Sequence, residues 1–100
     1  MGIALNQTSD ASVVRLDGVI DISVAAELKA ALVEAVASGK AVRISAEAVT
    51  ELDVSAYQLL WAAGREGKRS GVELALAGEM PEPVKKSIEE MGLQACALFE

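Results

Sequence analysis

Stretches in which apolar residues recur at every second position alternate along this chain with stretches in which they recur at every third or fourth, and a glycine stands at most of the joins. Residues 12–17 (SVVRLD) alternate as a half-buried strand does, and Gly18 is expected to end it. Residues 19–22 form a second β-like piece that runs into Ser23, a candidate N-cap. Over residues 24–38, Ala25, Leu28, Leu32 and Val36 share one helical face, and Gly39 is the expected stop. Residues 41–46 (AVRISA) alternate again, whereas 47–52 read as a loop. Ser55-Ala56-Tyr57-Gln58 has the form of a capping box, opening a second helix that buries Ala56, Leu59, Leu60 and Ala63. Arg65, Lys68 and Arg69 fall where the helix dipole favours positive charge, before Gly71 ends the helix. Residues 72–77 (VELALA) read as a strand and Gly78 as a turn. Pro81 and Pro83 open a third helix with Val84, Ile88 and Met91 as its stripe, closed by Gly92. Short strands are expected at residues 3–6 and 95–99.

Strands separated by helices with short links argue for an α/β layer, a mixed sheet with helices packed on it. At 100 residues the chain is expected to be one domain, residues 1–100, around one core. The apolar fraction is 52%, enough to bury a core and to exclude disorder. Eighteen of these residues are alanine, which lets helices and sheet approach closely.

The side chains present exclude much chemistry. Histidine is absent, which removes the commonest general base and the commonest metal ligand. With one cysteine, Cys96, no internal disulfide can form, and a reducing cytoplasm is the expected location. Neither GxxxxGK[ST] nor GxGxxG occurs, and no serine has a histidine to activate it. The net charge of −6 disfavours nucleic acid and anionic membrane surfaces as partners. No apolar run approaches the roughly 20 residues that span a bilayer, and the first residues form no secretory signal. The expectation is a non-enzymatic chain with no cofactor and no metal.

LDGVID (residues 16–21), the helix after it, VRIS (42–45), LDVSAYQLLWAAGR (52–65) and VELALAG (72–78) together resemble a STAS domain. STAS domains are found in bacterial anti-sigma-factor antagonists, on sulfate transporters and in a phospholipid-transport complex. The resemblance runs collinearly from about residue 12 to residue 99. It implies a mixed sheet of four or five strands with the helices mainly on one face. It also implies a switch at the turn before the second helix, where the family usually reads D-[ST]-x-G-L and faces a kinase-like anti-sigma factor. In switching members, phosphorylation of the Ser or Thr after the Asp releases the partner, because a docked surface then meets about two new negative charges. Here Asp53 aligns on the family Asp and Val54 occupies the acceptor position, with Ser55 one place later. Val54 cannot be phosphorylated, so the switch has either moved to Ser55, the candidate phosphoacceptor, or is absent.

The candidate partner interface is Asp21, Asp53, Val54, Ser55, Tyr57 and Trp61. Tyr57 and Trp61 lie four apart on one side of the second helix, either as an exposed docking patch or as cover for the core edge. The expected function is a non-catalytic protein-interaction module of bacterial signalling, similar to an anti-sigma-factor antagonist that binds a kinase-like anti-sigma factor or a chemosensory partner. The alternative is a cytoplasmic accessory subunit of an ABC-type phospholipid transport complex.

Overall fold

The structure, a computed structural model, describes residues 2–93. Their elements run β1 (Gly2–Gln7), β2 (Ala11–Ile20), a 3-10 turn (Ile22–Val24), α1 (Ala25–Ala37), β3 (Ala41–Leu52), α2 (Val54–Ser70), β4 (Leu74–Leu76) and α3 (Glu82–Glu90). The strand expected at residues 95–99, and Cys96 within it, lie outside the described residues.

The sheet order is β1-β2-β3-β4, with β1 antiparallel to β2 and the other pairs parallel. Parallel neighbours need long crossovers, and α1 and α2 supply them. Two right-handed crossovers in the same direction across a sheet put both helices on one face. That face carries Ser12, Val14 and Leu16 of β2 and Val42, Ile44 and Ala46 of β3, all buried. Val13, Arg15, Arg43 and Ser45 on the opposite face are half-buried or exposed. Leu28 and Leu32 of α1, Leu60 of α2, and Val84 and Ile88 of α3 join the buried face in one core cluster. The expected mixed α/β sheet with its helices against one face is what the chain forms, with four strands among the described residues.

The local differences from the sequence reading have identifiable causes. Gly18 does not end the strand. At φ +78° it sits inside β2, between two register shifts in the β2–β3 ladder. Each shift places one extra residue on β3: Arg15 pairs with Ser45 but Asp17 with Ala48, and Gly18 pairs with Val49 but Val19 with Glu51. These are β-bulges. They stretch the spacing of buried residues on β3 from Val42, Ile44 and Ala46 to Val49 and Leu52. Residues 47–52 thereby lost the period of two and read as a loop, yet they are strand.

β4 starts later than expected because Val72 closes the preceding helix. The Val72 N–H donates to the Gly67 C=O at 2.7 Å and the Gly71 N–H to the Lys68 C=O at 3.4 Å, a Schellman closure with Val72 buried behind it. Ser23 is not an N-cap. Asp21 caps the 3-10 turn, and α1 starts behind it without a side-chain cap. Met91 falls at the C-cap of α3 and is 39% exposed, outside the stripe of Val84 and Ile88.

Candidate functional site

β2 and β3 end side by side. Ile20 pairs with Leu52, and the Asp53 N–H donates to the Ile20 C=O at 3.1 Å. Beyond these ends the chain repeats itself, as Ile20-Asp21-Ile22-Ser23 and as Leu52-Asp53-Val54-Ser55. In each copy a buried aliphatic residue finishes the strand and an aspartate follows in extended backbone. An exposed branched aliphatic comes next, then a serine whose hydroxyl donates to the aspartate.

The aspartates are the caps. Asp53 Oδ1 accepts from the Ala56 N–H at 3.0 Å and from Ser55 Oγ at 2.8 Å. Asp21 Oδ1 accepts from the Ser23 N–H at 2.9 Å and from Ser23 Oγ at 2.6 Å. Those two bonds, the hydroxyl's first, hold the Asp21 carboxyl below its ordinary range. A depressed carboxylate stabilises the fold above its unfolded pKa, and that contribution is lost as pH falls through the lowered folded value. On acidification the Ser23 amide is therefore expected to lose its protection only below the usual carboxylate range. Amide exchange at Ser23 followed against pH checks this.

The expected capping box at Ser55 is corrected by this geometry. Asp53, at φ −90° and ψ 177°, holds the N-cap position, while Ser55 is already helical and Gln58 is exposed. A serine inside the first turn cannot reach forward to cap it, so Ser55 braces the cap instead. Asp53→Ala is expected to cost about 1 kcal/mol of stability and Ser55→Ala clearly less. Urea unfolding of the two variants measures both, and equal losses would contradict this division of roles.

Asp21, Asp53, Val54 and Ser55 are thus brought to one end of the sheet. Tyr57 is not part of an exposed patch: it is 7% exposed and belongs to the core cluster with Ala56 and Leu60. Trp61 is 42% exposed, with the Arg65 guanidinium 4.9 Å from the ring centroid. Val54 and Trp61 are two helical turns apart, which places them on the same side of α2 about 10 Å from each other. Ile22, 76% exposed on the neighbouring turn, was missed in the sequence, although the recurrence of IDIS and LDVS was there to be read.

Asp21 and Asp53 follow these strand ends directly and Glu51 precedes Leu52, and residues 16–28 and 44–64 contain no lysine or arginine. The end therefore carries exposed aliphatic side chains in a stretch of chain whose charges are all acidic. Among the described residues no group of His, Cys, Asp and Glu could hold a metal ion, and no helix is long and apolar enough to cross a membrane. A separate groove of about 670 Å³ runs between α1 and α2 toward their C-terminal ends, past Leu32, Val36, Leu59 and Ala63.

Solved structures share this fold. The anti-sigma factor antagonist SpoIIAA in its unphosphorylated form is 20% identical over 93% of this chain and 86% of its own, with a TM-score of 0.70. An anti-sigma factor antagonist from Mycobacterium paratuberculosis is 26% identical over 90% of this chain and 76% of its own, with a TM-score of 0.67. A structure of Mglu matches at 21% identity and a TM-score of 0.68, over 81% of this chain but only 20% of that much longer one. No curated protein matches the sequence. The family model described as Mlab, STAS domain matches residues 3–99, nearly the whole chain, and the chain belongs to that STAS family.

Proposed function

We propose that residues 1–100 act as a single non-catalytic STAS module of bacterial signalling, whose paired turns dock a kinase-like anti-sigma factor or a chemosensory partner in the cytoplasm. The observation that carries this reading is the doubled Asp-capped turn, which exposes Ile22 and Val54 just beyond the adjacent ends of β2 and β3. Exposed aliphatics next to the Asp21 and Asp53 carboxylates suit a protein surface with an apolar pocket and a basic rim. The antagonist relatives support a protein as the partner.

Trp61 extends the surface along α2 as an aromatic anchor. Trp61→Ala is expected to weaken partner binding by about 2 kcal/mol while changing stability by less than about 1 kcal/mol. Calorimetric titration beside thermal unfolding reads both quantities. Ser55 is half-buried and its hydroxyl is engaged by Asp53, so we assign it to the cap and not to a phosphorylation switch. Phosphate on Ser55 at substantial occupancy in protein isolated from its host would contradict that assignment.

The second reading is a cytoplasmic accessory subunit of an ABC-type phospholipid transport complex. It is favoured by the description of the matching family, which names an Mlab STAS domain and not an antagonist. Affinity capture of the full chain from its host, with mass spectrometry of what is retained, separates the two. An anti-sigma kinase or chemosensory component supports the first reading, and a transporter ATPase or permease the second.

A further inference from the structure

Among the described residues nothing guards the outer edge of β1. Sheet edges are ordinarily protected by charge, proline, bulges or brevity, because their unpaired N–H and C=O groups template another strand. β1 is GIALNQ, with no charged residue and no proline, and its ladder with β2 runs from Gly2 to Gln7 without a register shift. Among the described residues no strand pairs on its outer side.

A cleft lies beside this edge. Ile3 and Leu5 of β1 and Ala30 and Ala31 of α1 line it, with Glu27 and Glu34, around a volume of about 310 Å³. Ile3 and Leu5 are only half-buried, although they pair with the fully buried Leu16 and Val14. A further strand added to β1 would continue this face, and every second side chain would enter the cleft. Glu27 and Glu34 are exposed, and among the described residues neither enters an ion pair. They stand seven residues apart on α1, about 10 Å along its axis.

We propose that the β1 edge accepts an extended basic segment of a partner protein as an added strand. Its cleft-facing side chains are apolar at the centre, over Ile3 and Leu5, and basic on either side, to meet Glu27 and Glu34. Strand positions four apart are separated by about 13 Å, within what two lysine side chains can adjust to that carboxylate spacing. A second copy of this chain fits poorly. β1 contains no lysine or arginine, and pairing two such edges about a two-fold axis would gather four carboxylates along one seam. This surface is distinct from the paired turns and stands or falls independently of the proposed function.

The full chain is titrated with the end-blocked peptide Thr-Lys-Thr-Val-Thr-Lys-Thr, followed by amide chemical shifts and by calorimetry. The expected result is a shift of the amides of residues 2–7, with affinity lowered at least about tenfold in the E27K/E34K variant. That variant should in turn bind the peptide carrying Glu in place of Lys. Two further peptides, N-methylated at alternate residues in opposite phase, test the main-chain ladder on the unaltered protein, and one of them should lose binding. The proposal is overturned if the lysine peptide does not bind or shifts only residues away from β1 and α1. It is equally overturned if charge reversal leaves the affinity unchanged, if neither methylated peptide loses binding, or if the edge is found occupied by a second copy of the chain.

Discussion

Replacing Tyr57 by alanine is expected to remove about 3–5 kcal/mol of folding stability. That is a large share of the roughly 5–15 kcal/mol that holds a domain of this size together. The side chain is 7% exposed and sits on the buried face of α2 with Ala56 and Leu60, one turn into the helix. Truncation removes an aromatic ring from a packed interior and leaves a cavity that the surrounding sheet and helix can only partly close. Trp61, four residues on and 42% exposed, is the control. Urea unfolding of both variants makes the comparison. A loss below about 1 kcal/mol for Tyr57→Ala would place the ring outside the core and restore it to the surface.

Gly67→Val is expected to cost about 3 kcal/mol, the upper end of what overpacking produces. At Gly67, α2 packs directly against the chain that follows it. A Cβ there would collide with the Leu74 side chain and approach the Val72 carbonyl oxygen to 2.8 Å. The Leu74 side chain can turn aside, but Val72 is tied by its own N–H to the Gly67 C=O at 2.7 Å and is 6% exposed. Backbone must therefore move, and the closure of α2 and the start of β4 move with it. Gly67→Ala carries the same clash but recovers about 1 kcal/mol in helix propensity, so it should fall between Val and the parent. Thermal unfolding of the three proteins gives the order, and a stabilised alanine variant would show that the approach is looser than described.

Much of this fold is legible in the sequence because its helices and its regular strand segments keep their periods. α1 and α2 appear where Leu28, Leu32, Leu60 and Ala63 fall at helical spacing, and β2 where Ser12, Val14 and Leu16 alternate. The signal fails where pairing and not periodicity decides. The two bulges on β3 stretch the step between buried residues to three positions, from Ala46 to Val49 and again from Val49 to Leu52, which no period of two reports. Capping fails as a signal for another reason. Both Asp53 and Ser55 are good cap residues, and the choice between them depends on where β3 releases the chain. Tyr57 and Trp61 differ by only about 40° around α2, less than a sequence pattern resolves at the boundary between core and surface. The IDIS and LDVS copies were visible as letters. Their meaning depends on β2 and β3 ending beside one another, which is a property of the sheet order.

The two turns are proposed to form one docking surface. The most direct measurement compares the full chain with its I22R/V54R variant in affinity capture from the host, with circular dichroism and thermal unfolding confirming that both are folded. Ile22 and Val54 are 76% and 45% exposed, so the arginines can be carried without disturbing the core. They place two positive charges against a partner rim expected to be basic, and affinity should fall by about 2 kcal/mol or more, roughly thirtyfold. A protein is expected to be retained by the parent chain and lost from the variant. A protein retained equally by both, or none retained by the parent, would contradict it.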